Sequence, residues 1–291
     1  TIAEDWESLT AEDNTDAALL NRATQGLYPP GSTFKIFTTL EYIHENADFA
    51  DYTYQCTGSY TVGNHTIHCY GNKSHGTQNL KEAFANSCNA FFASLGLELD
   101  VGQFGTLCED LLFNTSLPTD LQASKSSFVL EAGDGSSSIM ATAIGQGETL
   151  VTPFHMALVV SAINNDGLLM TPYVIDRVEN QEGDVVEQYE PEEYKSLMSE
   201  SDASILQEYM SYVVEAGTGS RLSGQSYEAA GKTGSAEYST GADSSHSWFV
   251  GYAHREDKED IAIAVIVERA GVGSEYAVPI AKEVFDAYYS E

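Results

Sequence analysis

Basic side chains are scarce. Thirteen lysines and arginines stand against 44 aspartates and glutamates, a net charge of −31 over 291 residues. That imbalance excludes nucleic acid and anionic bilayers as partners for the bulk of the surface, and the acids read as a solvated coat. Long apolar runs are also missing: the longest, Ile261 to Val267, is far too short to span a bilayer. No signal peptide is visible, and "TIAEDWESLT" opens without an initiator methionine. We therefore expect a fragment of a longer chain, with a membrane anchor or partner domain upstream. Neither an internal repeat nor a low-complexity linker interrupts the sequence.

Cysteine is sparse, with four residues. Cys56 and Cys69 flank "TGSYTVGNHTIH", which reads as a hairpin around Gly63 and Asn64, and their spacing suits a cross-strand disulfide. His65, His68 and His75 lie nearby, but the spacings match no zinc pattern and no metal is expected. Cys88 and Cys108 have no evident partner and read as small buried hydrophobes.

What is present is a chain with apolar periodicity and 17 tyrosines, long enough to bury a sizeable core. Residues 33 to 45 carry Phe34, Ile36, Phe37, Leu40, Tyr42 and Ile43, the pattern of a helix buried on most of its circumference. Leu80 to Leu97 predicts a second helix, interrupted at "NSCN" by residues that prefer caps and turns. Pro118 to Ser138, rich in Ser, Asp and Gly, predicts a long surface excursion. Thr152 caps a helix that starts at Pro153 and ends near "NNDG". Two short strands flank the turn "NQEGD", and a helix follows from about Ala203 to Glu215. Strands at 229–237, 248–254 and 261–268 and a closing helix at 278–289 then predict an antiparallel sheet. The fold class is α+β, an antiparallel sheet flanked by helices plus a mainly helical lobe.

Three islands carry chemistry: "STFK" at 32–35, "SCN" at 87–89 and "KTGS" at 232–235. Each has an ordinary reading in isolation. Ser32 fits a helix N-cap and Lys35 a surface lysine, Ser87 and Asn89 fit caps, and Lys-Thr-Gly fits an edge strand with a glycine bulge. A hydroxyl needs an adjacent base to act as a nucleophile, and lysine serves only when burial or neighbouring charge lowers its pKa. At i and i+3 Ser32 and Lys35 share a helix face, and the apolar neighbours of Lys35 argue for burial. His155 lies on an apolar helix and reads as a core histidine. His246 and Trp248 read as packing, with an aromatic cleft wall as the alternative.

In order and spacing the three islands resemble the signature of penicillin-binding proteins and serine β-lactamases. "NRATQGLYPPGSTFKI", "SCNAFF", "IGQGETLVTPFHMA", "AGKTGSAE" and "HSWFVGYA" are similar to stretches of penicillin-binding transpeptidase domains, so the resemblance covers most of the chain. It implies one such domain over 1–291, acting on D-Ala-D-Ala stem peptides of peptidoglycan at the extracytoplasmic face of a bacterial membrane. Ser32 would be the nucleophile, Lys35 its base and Ser87 a proton relay to the leaving amine. Asn89, Lys232, Thr233 and Ser235 would hold substrate, Gly234 would let its backbone approach, and the N–H groups of Ser32 and Ser235 would form an oxyanion hole. β-Lactams would acylate Ser32, cell-wall synthesis proteins would be partners, and no cofactor is called for. An extracytoplasmic location also favours the Cys56–Cys69 disulfide.

Two related readings compete. Class D β-lactamases, and the β-lactam sensors that resemble them, carry an apolar residue where this chain has Asn89. Class A enzymes use a Glu-x-x-x-Asn motif that is not found between the second and third islands.

Overall fold

The computed structural model describes residues 19–237 and 245–290, together with Trp6 and Ala17. The opening stretch on which the expectation of an upstream segment rests lies mostly outside the described residues. No described helix is long and apolar enough to cross a membrane.

A three-stranded antiparallel sheet organises the molecule, with β10 (Ser245–Arg255) between β9 (Glu228–Glu237) and β11 (Lys258–Val267). Alternate residues of β10 enter two cores. Trp248, Val250 and Tyr252 face the main core, while Phe249 and Ala253 join a smaller one on the opposite face. Burial on both faces explains why the strand reads as a nearly continuous apolar run. The smaller core is closed by the C-terminal helix α9 (Ala277–Ser290) through Val278, Ala281 and Phe285.

Helices cover the other face. After a short turn of helix, α1 (Arg22–Gln25), a 3₁₀ segment (Gly31–Phe34) leads into α2 (Lys35–Glu45). The break anticipated at "NSCN" separates α3 (Leu80–Ala85) from α4 (Asn89–Gly96). α5 (Val101–Asp110) and α6 (Ser136–Ala143) complete the helical lobe. Thr152 caps α7 (Pro153–Asn164) by accepting from the His155 N–H at 3.0 Å, and Ser199 caps α8 (Glu200–Ala216).

Small antiparallel pairs decorate this body: β1 (Thr53–Cys56) with β4 (Gly76–Asn79), β2 (Ser59–Val62) with β3 (His65–His68), β5 (Leu168–Met170) with β8 (Glu193–Ser196), and β6 (Arg177–Glu179) with β7 (Val185–Gln188). The β2–β3 and β6–β7 hairpins lie where the turns predict them. The excursion over 118–138 is not wholly superficial: Ser126, Phe128 and Leu130 are buried, and Ser127 pairs with Leu150. Phe128 stacks on Phe34 beside Phe104 and Phe113. A fully buried aromatic contributes about 2–3 kcal/mol, so this cluster holds the start of α2 rigidly.

Candidate active site

The Pro-Pro-Gly turn places Ser32 by close packing. Gly31 has φ +54°, and a Cβ there would lie 2.7 Å from the Ser235 carbonyl oxygen. Only glycine fits both the left-handed backbone and the approach to β9. The indole N–H of the fully buried Trp248 donates to the Pro29 carbonyl at 3.0 Å, tying the turn to the middle strand. Trp248 is thus an anchor beneath the turn, not a wall of the cleft. On the far side, the Gly31 N–H donates to the Gly145 carbonyl at 2.9 Å, which connects "IGQG" to the turn.

Lys35 is fully buried one turn after Ser32. Its Nζ lies 3.0 Å from Ser32 Oγ, 2.8 Å from the Ser87 carbonyl, 3.3 Å from Ser87 Oγ and 2.7 Å from Asn89 Oδ1. Burial lowers its pKa to about 7, against a smaller opposing pull from the Cys88 and Cys69 sulfurs. A neutral amine has two N–H donors and one lone pair. The Ser87 carbonyl and Asn89 Oδ1 can take both donors, which leaves the lone pair for the Ser32 hydroxyl proton.

Ser87 occupies an unusual position. Its N–H donates to the Phe84 carbonyl at 3.1 Å and the Cys88 N–H to the Ala83 carbonyl at 2.9 Å, the pair of bonds that ends a helix in a Schellman turn. In that turn the left-handed residue is usually glycine, and here it is Ser87 with φ +54°. The backbone is strained to present a hydroxyl between Lys35 and Lys232. Asn89 follows, its Nδ2 donating to the His68 carbonyl at 2.9 Å, so its amide is held from both ends.

Strand β9 supplies the opposite wall. Lys232 is fully buried and its Nζ donates to Ser87 Oγ and to the Thr233 carbonyl, each at 3.0 Å. Burial first, and then the charge of Lys35, pushes its pKa well below the ordinary lysine value. Its amino group is turned toward Ser87 beneath the strand. Gly234 also serves the chain's own packing: a Cβ there would meet Thr33 Cγ2 at 3.0 Å and the Pro30 carbonyl at 3.2 Å. The chain that approaches this glycine closely is the Ser32 turn itself. Thr233 Oγ1 lies 2.5 Å from Thr218 Oγ1, and Ser235 Oγ accepts from the Gly273 N–H at 3.2 Å.

The residues of all three islands thus converge, and Ser32, Ser87, Asn89, Thr218, Thr233 and Ser235 line one cleft of about 720 Å³. Among the described residues no carboxylate hydrogen-bonds to Ser32, Lys35, Ser87 or Asn89. Such an arrangement suits acyl transfer through a serine ester, with lysine as the proton acceptor.

Residues outside the islands behave differently. His155 is fully buried, bonded to the Leu111 carbonyl at 2.7 Å, with its pKa lowered to about 4 by desolvation, so it stays neutral in the core. His246 accepts from the Arg269 N–H at 3.2 Å and packs edge-on against Tyr28. Cys108 is a buried free thiol. The expected Cys56–Cys69 disulfide is not formed: the sulfurs are 3.7 Å apart and both thiols are free. Its premise also differs, since Cys56 ends β1 and pairs with Gly76 of β4, not with the hairpin between the two cysteines. Cys88 is not packed among hydrophobes alone, for its sulfur is 3.7 Å from that of Cys69.

Residues 5–288 match the family model "Penicillin binding protein transpeptidase domain". The chain belongs to this family. Among its relatives is the peptidoglycan D,D-transpeptidase PbpA of Mycolicibacterium smegmatis, 29% identical over 99% of this chain and 60% of the relative. The MrdA D,D-transpeptidase of Acinetobacter baumannii is 28% identical over 97% of this chain and 45% of its own length. The chain thus spans about half to three-fifths of these curated relatives. In structure it is similar to a D,D-transpeptidase domain from Eggerthella lenta, with a TM-score of 0.86 and 28% identity over 99% of this chain and 72% of that one. It is also similar to penicillin-binding protein A of M. tuberculosis solved as an imipenem acyl-enzyme, with a TM-score of 0.85 and 28% identity over 99% of this chain and 65% of that one.

Within the transpeptidase cleft, Thr218 is the residue that sequence reasoning missed. It follows α8 in an ordinary-looking "AGTGS", and only its contact with Thr233 distinguishes it. Gln146 of "IGQG" and the segment from Val272 to Glu275 also line the cleft.

Proposed function

We propose that this chain is a serine D-Ala-D-Ala transpeptidase domain that cross-links peptidoglycan stem peptides at the extracytoplasmic face of the cell membrane, and that β-lactams acylate it on Ser32. One observation carries the reading: a fully buried lysine amine, with its pKa near 7, touches Ser32, Ser87 and Asn89 together.

In the reaction, Ser32 Oγ attacks the carbonyl of the penultimate D-Ala and its proton passes to the neutral Lys35 amine. The N–H groups of Ser32 and Ser235 receive the oxyanion, each donor of this kind being worth about 3 kcal/mol in acyl transfer. The proton moves from Lys35 through Ser87 Oγ to the departing amine, and the C–N bond breaks to leave an ester on Ser32. Lys232, bonded to Ser87 Oγ, holds that hydroxyl in line. The amine of a second stem peptide then attacks the ester and returns its proton by the same route. Asn89, Thr233 and Ser235 hold the peptide, and Thr218 orients the Thr233 hydroxyl.

The test supplies a D-Ala-D-Ala peptide or thioester donor and an amine acceptor. Release of the leaving group together with an acceptor-linked product, both abolished by Ser32→Ala, is the expected result. Hydrolysis alone, with no acceptor incorporation at any concentration, would reassign the domain as a carboxypeptidase.

A further inference from the structure

Cys56, Cys69, His75 and Cys88 come from four places: the end of β1, the segment after β3, the residue before β4 and the turn between α3 and α4. Their ligand atoms nevertheless lie within 4.8 Å of one another. The Cys56–Cys69 and Cys69–Cys88 sulfur separations are both 3.7 Å, and Cys56 Sγ is 3.5 Å from His75 Nδ1. A tetrahedral zinc with Zn–S near 2.3 Å and Zn–N near 2.0 Å sets its sulfurs roughly 3.8 Å apart and sulfur from nitrogen roughly 3.5 Å apart. Three of the six edges of the group therefore already have the lengths of a tetrahedral zinc site, and the other three are no longer than 4.8 Å.

We propose that Cys56, Cys69, His75 and Cys88 form a zinc site that clamps the loop carrying Ser87 and Asn89.

Three further observations support it. Every sulfur accepts a backbone N–H, from Gly58 at 3.4 Å, Ala90 at 3.5 Å and Phe91 at 3.4 Å, as the outer partners of metal thiolates do. A disulfide leaves this cluster unresolved, because three cysteines cannot all pair and the imidazole would face an unused thiol. All three cysteines are buried while His75 is only partly so and lines the catalytic cleft, which gives an ion a path in. Soft thiolates with one imidazole select zinc over hard cations. On binding, one S–H bond breaks and one Zn–S bond forms at each cysteine, and the protons go to solvent.

The placement gives the metal work to do. Cys88 stands between Ser87 and Asn89, and Cys69 directly follows His68, whose carbonyl receives the Asn89 amide. Zinc bonds to Cys69 and Cys88 would hold both ends of that contact and oppose the left-handed strain at Ser87. Such a site does not show as a zinc spacing in the sequence, because one of its ligands sits inside the "SCN" island.

The experiment measures metal in protein isolated without added chelator or metal-affinity resin, then removes and restores zinc. The expected content is one zinc per chain, lost in Cys56→Ser and His75→Ala and kept in Cys108→Ser. Cobalt substitution should give thiolate-to-cobalt charge-transfer bands and the visible bands of a tetrahedral ion. Chelation should lower Tm by about 5–10 °C relative to free zinc at about a hundredfold its Kd. It should also slow penicillin acylation about tenfold or more, with zinc restoring both. If the variants fail to fold, the wild-type chelation series decides. Folded protein with no metal and no Tm response to zinc, stoichiometric iron or copper in place of zinc, or a mapped Cys56–Cys69 disulfide would overturn the site. Equal acylation with and without zinc would overturn the clamp. The acylation arm rests on the proposed function and the metal arm does not: a chain that binds zinc but is never acylated contradicts the former alone.

Discussion

A buried amine that titrates near neutrality makes Lys35 a switch for the nucleophile. Because its folded pKa is lowered to about 7, the base form grows as pH rises through that value. The second-order rate of β-lactam acylation should therefore climb from about pH 6 to 8 and level off above, the behaviour of a general base titrating in the free enzyme. A rate that is flat or falls over that window would remove Lys35 from the role of base. Lys35→Ala should lower the rate by about 10²–10⁴-fold with a cooperative thermal transition retained. At this scale most of the site was legible, because Ser32, Lys35, Ser87, Asn89, Lys232, Thr233 and Ser235 stand in short motifs whose residue types the chemistry demands. What the motifs do not contain is direction. That Lys232 turns under β9 to Ser87, and that Gly234 admits the Ser32 turn, are facts of packing between segments far apart in the chain.

Elements carry the strain that single residues display. The turn between α3 and α4 would be relaxed with glycine at position 87, since a non-glycine residue in the left-handed region costs about 1 kcal/mol or more. Ser87→Gly removes that cost together with two hydroxyl contacts, so Tm should stay within about 3 °C of the parent. Acylation should fall by about 10²-fold or more for want of the relay hydroxyl. A fully active Ser87→Gly would exclude Ser87 from proton transfer, and a collapsed fold would make the hydroxyl structural. Helices α2, α7 and α8 and the three long strands could be read from periodicity and caps. β1 and β4 could not, because neither short segment alternates apolar and polar residues clearly. α5 was missed although Asp100 accepts from the Gly102 and Gln103 N–H groups, for two glycines dilute its helical pattern.

At the scale of the molecule, the surface works against its proposed inhibitors. Penicillins are anions, and a chain of net charge −31 repels them over distances that salt shortens, from about 30 Å at 0.01 M to about 8 Å at 0.15 M. Acylation should therefore speed up as salt is raised through that range. A rate that falls would show that cations near the cleft dominate the field. Glu237 and Glu275 line the cleft, but among the described residues no carboxylate bonds to the serine, lysine or relay groups, so neither is held against the nucleophile as a deacylating base. Without a base to activate water at the ester, hydrolysis forgoes a factor of about 10²–10⁴. The central claim is tested most directly by intact-protein mass spectrometry over time after mixing with excess penicillin, with peptide mapping of the adduct. We predict one penicilloyl group on Ser32, persisting for many minutes to hours and absent from Ser32→Ala. Penicillin consumed catalytically with free enzyme regained within seconds, or an adduct that survives Ser32→Ala, would contradict the account.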